Sequence, residues 1–183
     1  MRKNMRELRM KNVWAENDQK ESPLTGFYEI PYGEKAYLDL EAAGVMVIHI
    51  KDCARWKEGN ANLSLRGQDY ADLCETYAEV DASGTGINIY IPREAENMMT
   101  PKAGNIHSKG RILLTNRKIN KEENIYESDN LRYFISQEQM NECETTYRNP
   151  EEDRVLDINN PVDQLKLMFA FYDTVKELEA AQA

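Results

Sequence analysis

Hydrophobic residues recur along this chain at two spacings, and each change of spacing marks an element. From Val45 to Ile50 the run VMVIHI is almost continuously apolar and rich in β-branched residues, which predicts an interior strand covered on both faces. Ile87, Ile89 and Ile91 alternate with Asn88 and Tyr90, the period of a half-buried strand. Between them, Leu65, Tyr70, Leu73, Cys74 and Tyr77 form an apolar stripe that predicts a helix over Leu65 to Tyr77, with Ser64 as its cap. Tyr77 to Asp81 then extends, and Ser83-Gly84-Thr85-Gly86 turns the chain. A strand, a helix and a closing strand pair make Val45 to Ile91 a βαβ-like centre.

The flanks are less regular. Met5, Leu8, Met10, Val13 and Trp14 predict a short amphipathic opening element that packs through Trp14. Phe27 to Ile30 reads as an extended piece in a Pro- and Gly-punctuated loop, Tyr37 to Ala43 as a brief helix, and Ala54 to Ser64 as a loop. Ile112 to Leu114 and Leu131 to Ile135 read as strands, and Gln137 to Thr146 as a short helix. At the end, Asn160 caps and Pro161 opens a helix with Leu165, Met168, Phe169, Tyr172, Val175 and Leu178 on one face. Any part of that face left uncovered suits a homodimer. The expected architecture is α+β: one domain over residues 1–183, with a mixed, mostly antiparallel sheet, flanking helices and a long C-terminal helix.

Composition narrows the chemistry. With 183 residues, 41% hydrophobic and 30% charged, the chain suits one domain with a full core. Its net charge of −9 argues against general nucleic-acid binding, which relies on Lys and Arg, and favours a partner with a basic surface. No apolar run is long enough for a membrane span or a signal peptide, so the expected location is the cytoplasm. Cys53, Cys74 and Cys143 have neither disulfide-framework nor zinc-knuckle spacing and read as ordinary buried thiols. No metal or cofactor is expected.

Charge reverses along the second half. Arg93 to Lys118 contains Arg93, Lys102, Lys109, Arg111, Arg117 and Lys118 against Glu94 and Glu96. Lys121 to Asp157 contains eleven acidic residues against four basic ones. The candidate nucleic-acid contacts are Lys102, Lys109, Arg111, Arg117 and Lys118. The candidate partner-binding carboxylates are Glu122, Glu123, Glu127, Asp129, Glu151, Glu152 and Asp153, because spaced carboxylates imitate a phosphate row and suit a basic groove.

Three segments carry a family resemblance. IHIKDC, YAEVDASGTGINIYI and ENIYESDNLRYFIS, in this order, resemble motifs of the phage and plasmid primase-polymerase domains of the archaeo-eukaryotic primase superfamily. The resemblance covers roughly residues 10 to 178 and implies that fold. It also implies metal-binding carboxylates where this chain has His49 and Lys51, a histidine at Asn88 and an acidic residue at Asn124. Two-metal phosphoryl transfer needs hard carboxylate oxygens, and a lysine puts a cation where the metal sits. The expectation is therefore a non-catalytic derivative, made by a phage or other mobile element in a bacterial cell. It would inhibit a nucleic-acid enzyme such as a guide-RNA-loaded CRISPR nuclease, as anti-CRISPR proteins of similar size and character do. Two competing functions are a DNA-binding replication accessory and a residual nucleotidyltransferase using Asp52, Glu79, Asp81 or Glu123 as substitute ligands.

Overall fold

The computed structural model describes residues 3–95, 98–102 and 104–147. Contacts divide the chain into two compact units, Met1–Asn141 and Glu142–Ala183, and the architecture below is that of the first. The expected C-terminal helix, with its cap at Asn160 and Pro161, lies outside the described residues.

The chain opens with β1 (Lys3–Asn4), α1 (Met5–Arg9), β2 (Asn12–Ala15), β3 (Thr25–Gly26), β4 (Tyr37–Asp39) and α2 (Leu40–Ala43). Short helices need caps, and both have one. The Asn4 side chain accepts from the Arg6 amide, and that of Asp39 from the Ala42 amide at 3.0 Å. Gly44, at φ 62°, then ends α2 in the left-handed conformation. The predicted helix over Tyr37 to Ala43 is thus half strand and half helical turn. Phe27–Glu29 is a 3₁₀ turn, not an extended piece, and the Glu29 carboxylate accepts from the Gly26 amide at 3.1 Å.

The centre consists of β5 (Val45–Ile50), β6 (Ala54–Lys57), β7 (Asn60–Leu63), α3 (Leu65–Leu73), β8 (Ala78–Val80) and β9 (Ile87–Pro92). After it come β10 (Gly104–His107), β11 (Arg111–Leu113), β12 (Asn124–Ile125) and α4 (Asp129–Tyr147). The central sheet has the order β10-β5-β9-β8, with antiparallel neighbours throughout. Since β9 runs opposite to both β5 and β8, these two are parallel, and the unit is a split βαβ with β9 inserted. A second sheet has the order β11-β4-β2-β3, and β6-β7 and β1-β12 are separate two-stranded ladders. Every strand pair among the described residues is antiparallel, so the expected single mixed sheet is in fact several antiparallel ones.

Strand alternation divides the core. Met46, Ile48, Ile50, Ile87, Ile89 and Ile91 face one cluster with Tyr70 of α3, Cys74 just after it, and Leu131 and Ile135 of α4. Val45, Val47, Tyr77 and Tyr90 face the other, with Met5, Leu8, Trp14, Leu38 and Leu40. The central sheet is therefore covered on both faces, as its apolar run requires, and Trp14 is fully buried.

Three local expectations are corrected. Ala54 to Ser64 is a hairpin, not a loop: Glu58 (φ 51°) and Gly59 (φ 83°) supply the two positive φ values of its tight turn. The helix after Ser64 stops at Leu73, and Glu75 (φ 47°) turns the chain into β8. Leu131 to Ile135 is the first part of α4, not a strand. Leu131, Phe134, Ile135 and Glu138 recur at helical spacing: Leu131 and Ile135 are fully buried, Phe134 meets Tyr70 edge-on at 5.0 Å, and Glu138 pairs with Arg66 at 3.0 Å.

Candidate functional site at the end of the central sheet

Register places four polar residues in one row. Asn105 of β10 lies opposite His49, His49 opposite Asn88, and Asn88 opposite Glu79. Directly paired residues share a face, so all four belong to the side that carries Val47 and Tyr90. Two positions singled out by the family resemblance, His49 and Asn88, thus meet across β5 and β9. Lys51 follows the strand and is exposed. Asn124 belongs to a different ladder, β1-β12, where its Oδ1 accepts from the Asn4 side chain at 2.9 Å.

At one end of this row Glu79 is fully buried. Its Oε1 accepts from the Tyr90 hydroxyl at 2.9 Å and the Thr115 amide at 3.1 Å. Its Oε2 accepts from the Tyr77 hydroxyl at 3.0 Å and the Asn116 amide at 2.8 Å. Burial raises its pKa above the usual carboxylate range, although all four donors oppose that shift. The two tyrosines stack edge-on, 5.3 Å apart, and burial beside Glu79 raises both of their pKa values. Thr115 and Asn116 follow β11, so this carboxylate ties the two large sheets together.

Just beyond β8, Asp81 organises the glycine turn and reaches His49. Its Oδ1 accepts from the Ser83 hydroxyl at 2.7 Å and from the amides of Gly84, Thr85 and Gly86 at 2.9, 3.2 and 3.2 Å. Its Oδ2 lies 3.1 Å from His49 Nε2. Burial acts to raise its pKa, but the Ser83 hydroxyl, the Gly86 amide and His49 outweigh burial and hold it below the usual range. A loop with amides so arranged is suited to an anion, and here the anion is the chain's own carboxylate. Gly86 must be glycine: a Cβ there would lie 2.7 Å from the Ile50 carbonyl oxygen and 2.8 Å from His49 Nε2. The Arg117 guanidinium lies over the Trp56 ring, 5.5 Å from its centroid, and flanks Gly84.

The proposed substitute ligands do not converge. Glu79 is sealed, Asp81 is engaged by the turn, Asp52 (φ 53°) is exposed after β5, and Glu123 accepts from Lys118 at 2.7 Å. Among the described residues, no group of three His, Cys, Asp or Glu side chains is placed to hold a metal ion.

The basic candidates separate as well. The Arg111 side chain is only 3% exposed; it pairs with Asp39 at 3.5 Å and donates to the carbonyls of Asn17, Gln19, Lys20 and Ser22, pinning the 17–22 loop. Lys118 lies over the Tyr77 ring as well as against Glu123, and Arg117 is held by Trp56. Lys102 and Lys109 are exposed. Of the acidic candidates, Glu123 and Glu127 are paired with Lys118 and Arg132, Glu122 is half-buried and Asp129 is exposed. Glu151, Glu152 and Asp153 lie outside the described residues.

The structure adds residues that the sequence reading passed over. Asp69 and Asp72 on α3, Glu75 just after it and Asp129 at the start of α4 are exposed carboxylates, and Asn130 beside Asp129 reaches Glu75 at 3.5 Å. The spacing of Asp69, Asp72 and Glu75 was the available signal. His107 was also missed; its ring lies 6.2 Å from that of His49, a neighbourhood set only by the pairing of β10 with β5.

Comparison with protein-family models, curated proteins and solved structures found no match for this chain.

Proposed function

We propose that this is an interaction protein on a degenerate primase-polymerase-like fold, one that does not perform metal-dependent nucleotidyl transfer. Its partner is a protein with a basic nucleic-acid groove, and the specific expectation is an RNA-guided CRISPR nuclease inhibited in the manner of an anti-CRISPR. The observation that carries this reading is the exposure of the carboxylates Asp69, Asp72, Glu75 and Asp129 on a chain of net charge −9. Exposed carboxylates compete for Arg and Lys side chains through the electrostatics that draw in phosphates. The row of His49 and Asn88, with Lys51 beyond it, supports the loss of nucleotidyl transfer, because His49 and Lys51 stand where the resemblance implies hard carboxylate ligands and Asn88 where it implies a histidine.

The test is a cleavage assay in which a guide-loaded CRISPR nuclease and its target DNA are titrated with the protein, with complex formation followed by gel filtration. Inhibition with a stable complex is expected. It should weaken as ionic strength rises and when Asp69, Asp72, Glu75 and Asp129 are replaced by Asn or Gln. Cleavage at full rate with the protein in excess and no complex would remove the nuclease assignment. Template-dependent nucleotide incorporation with Mg²⁺ or Mn²⁺, abolished by Asp81→Asn, would overturn the claimed loss of nucleotidyl transfer.

A further inference from the structure

The open end of the polar row has features that binding a basic partner does not use. His49 and His107 lie on neighbouring strands of the same face, their ring centroids 6.2 Å apart and the rings tilted by 43°. His49 Nε2 is committed to Asp81 Oδ2 at 3.1 Å, which orients the ring and leaves proton traffic to Nδ1. His107 and Lys51 are exposed, and the His49 side chain retains 21% of its surface. Asn105, opposite His49, is exposed on the same strip. Partial burial of the ring first, then the neighbouring His49 and Lys51, depress the His107 pKa, which favours the neutral imidazole at neutral pH.

We propose that His49 and His107 form a metal-independent acid–base pair that cleaves RNA phosphodiesters, with Lys51 as the cation for the phosphoryl oxygens. Two imidazoles at this separation can flank one phosphoryl group. His107, neutral, takes the proton of the ribose 2′-hydroxyl. The O2′–P bond forms as the P–O5′ bond breaks, and His49 delivers a proton from Nδ1 to the departing O5′. The products are a 2′,3′-cyclic phosphate and a 5′-hydroxyl. No electrons are exchanged with any other species, no metal is required, and a proton passed from His107 to His49 through solvent restores the starting state. Lys51 offsets charge on the non-bridging oxygens in the pentacoordinate transition state. The groups facing this pair are Asp81 from the glycine turn, Asn105 from β10 and Lys51 beyond β5.

The experiment uses the purified full chain with EDTA and a single-stranded RNA oligonucleotide, reading product ends by mass spectrometry. Cleavage to 2′,3′-cyclic phosphate ends is expected, with a bell-shaped pH–rate profile and no reaction on the 2′-O-methyl RNA or the all-DNA analogue. His49→Gln and His107→Gln should each lower the rate about 10²- to 10⁴-fold, and Lys51→Ala should lower it without altering thermal unfolding. Asp81, as a positioning residue, should when replaced by Asn lower kcat more than it raises KM. Lack of cleavage above the buffer blank overturns the proposal. So does cleavage that survives in the folded His107→Gln and Lys51→Ala variants, since that activity would belong to a contaminant. The outcome is separable from the inhibitor reading, because neither the RNA assay nor the gel-filtration complex depends on the other.

Discussion

Glu79 and Asp81 lie two residues apart, at and just beyond the end of β8, and the chain uses them in opposite ways. Around Glu79 the two sheets close, both carboxylate oxygens are held by four donors, and solvent is excluded. Around Asp81 the sheet ends, the donors come from a tight turn and one histidine, and 14% of the side chain meets solvent. One carboxylate is a structural joint. The other shapes a loop and orients an imidazole that can still meet a ligand. A charged group in a functional-looking segment therefore shows its role only through what surrounds it.

The strongest way to break this contrast is Glu79→Ala. It leaves two tyrosine hydroxyls and two amides without their acceptor inside the protein, each costing about 1–3 kcal/mol. A total loss above about 3 kcal/mol in urea unfolding is the expected outcome. A loss below about 1 kcal/mol would mean that the joint carries little.

Gly86→Ala probes the open end. The added Cβ meets backbone and the His49–Asp81 pair at under 3 Å, so a loss of about 1–3 kcal/mol is expected, with displaced His49 ring signals in NMR. A variant with unchanged stability and unchanged His49 signals would show that the turn is loose.

The pH dependence of stability should separate the two carboxylates by sign. Glu79 has a raised pKa in the fold, so the folded chain holds its proton more tightly than the unfolded chain. Its contribution is fully present below the unfolded value of 4.5 and is lost as pH rises through the higher folded value. Asp81 has a lowered pKa, so its contribution is present above the unfolded value of 3.8 and is lost as pH falls through the folded value. Glu79→Gln should flatten the first slope and Asp81→Asn the second, in denaturation curves at successive pH values. The same slope in both variants would contradict the assignment.

The smallest expected effect is that of Arg117→Ala, which removes a cation–π contact over Trp56 and costs about 0.5–1 kcal/mol. Trp56 fluorescence should change with it, and an unaltered spectrum would place the guanidinium elsewhere in solution.

Much of the centre was legible because its signals are local. VMVIHI, the Ser64 cap, the glycine turn and the alternation of Ile87, Ile89 and Ile91 each fix their element within a few residues. The start of α4 was missed because Leu131 to Ile135 is short and apolar, and its period becomes visible only when Glu138 is added. Nothing in the sequence around Gly67 marks it as special, yet a Cβ there would lie 2.3 Å from the Cys53 carbonyl oxygen. Of the site, the sequence indicated His49, Lys51, Asn88 and the glycine turn. It could not indicate that Asp81 fills the turn, that Arg111 pins a distant loop or that His107 adjoins His49, because long-range register creates those neighbours.

The inserted position of β9 has a consequence for synthesis on the ribosome. Both ladder partners of β5, namely β9 and β10, are encoded after it. From the time Ile50 leaves the exit tunnel until Pro92 follows, VMVIHI has no sheet partner on either edge, and such bare apolar strands pair readily with other chains. The nascent protein thus passes through an aggregation-prone interval of about forty residues, set by the order of its strands and not by its final stability.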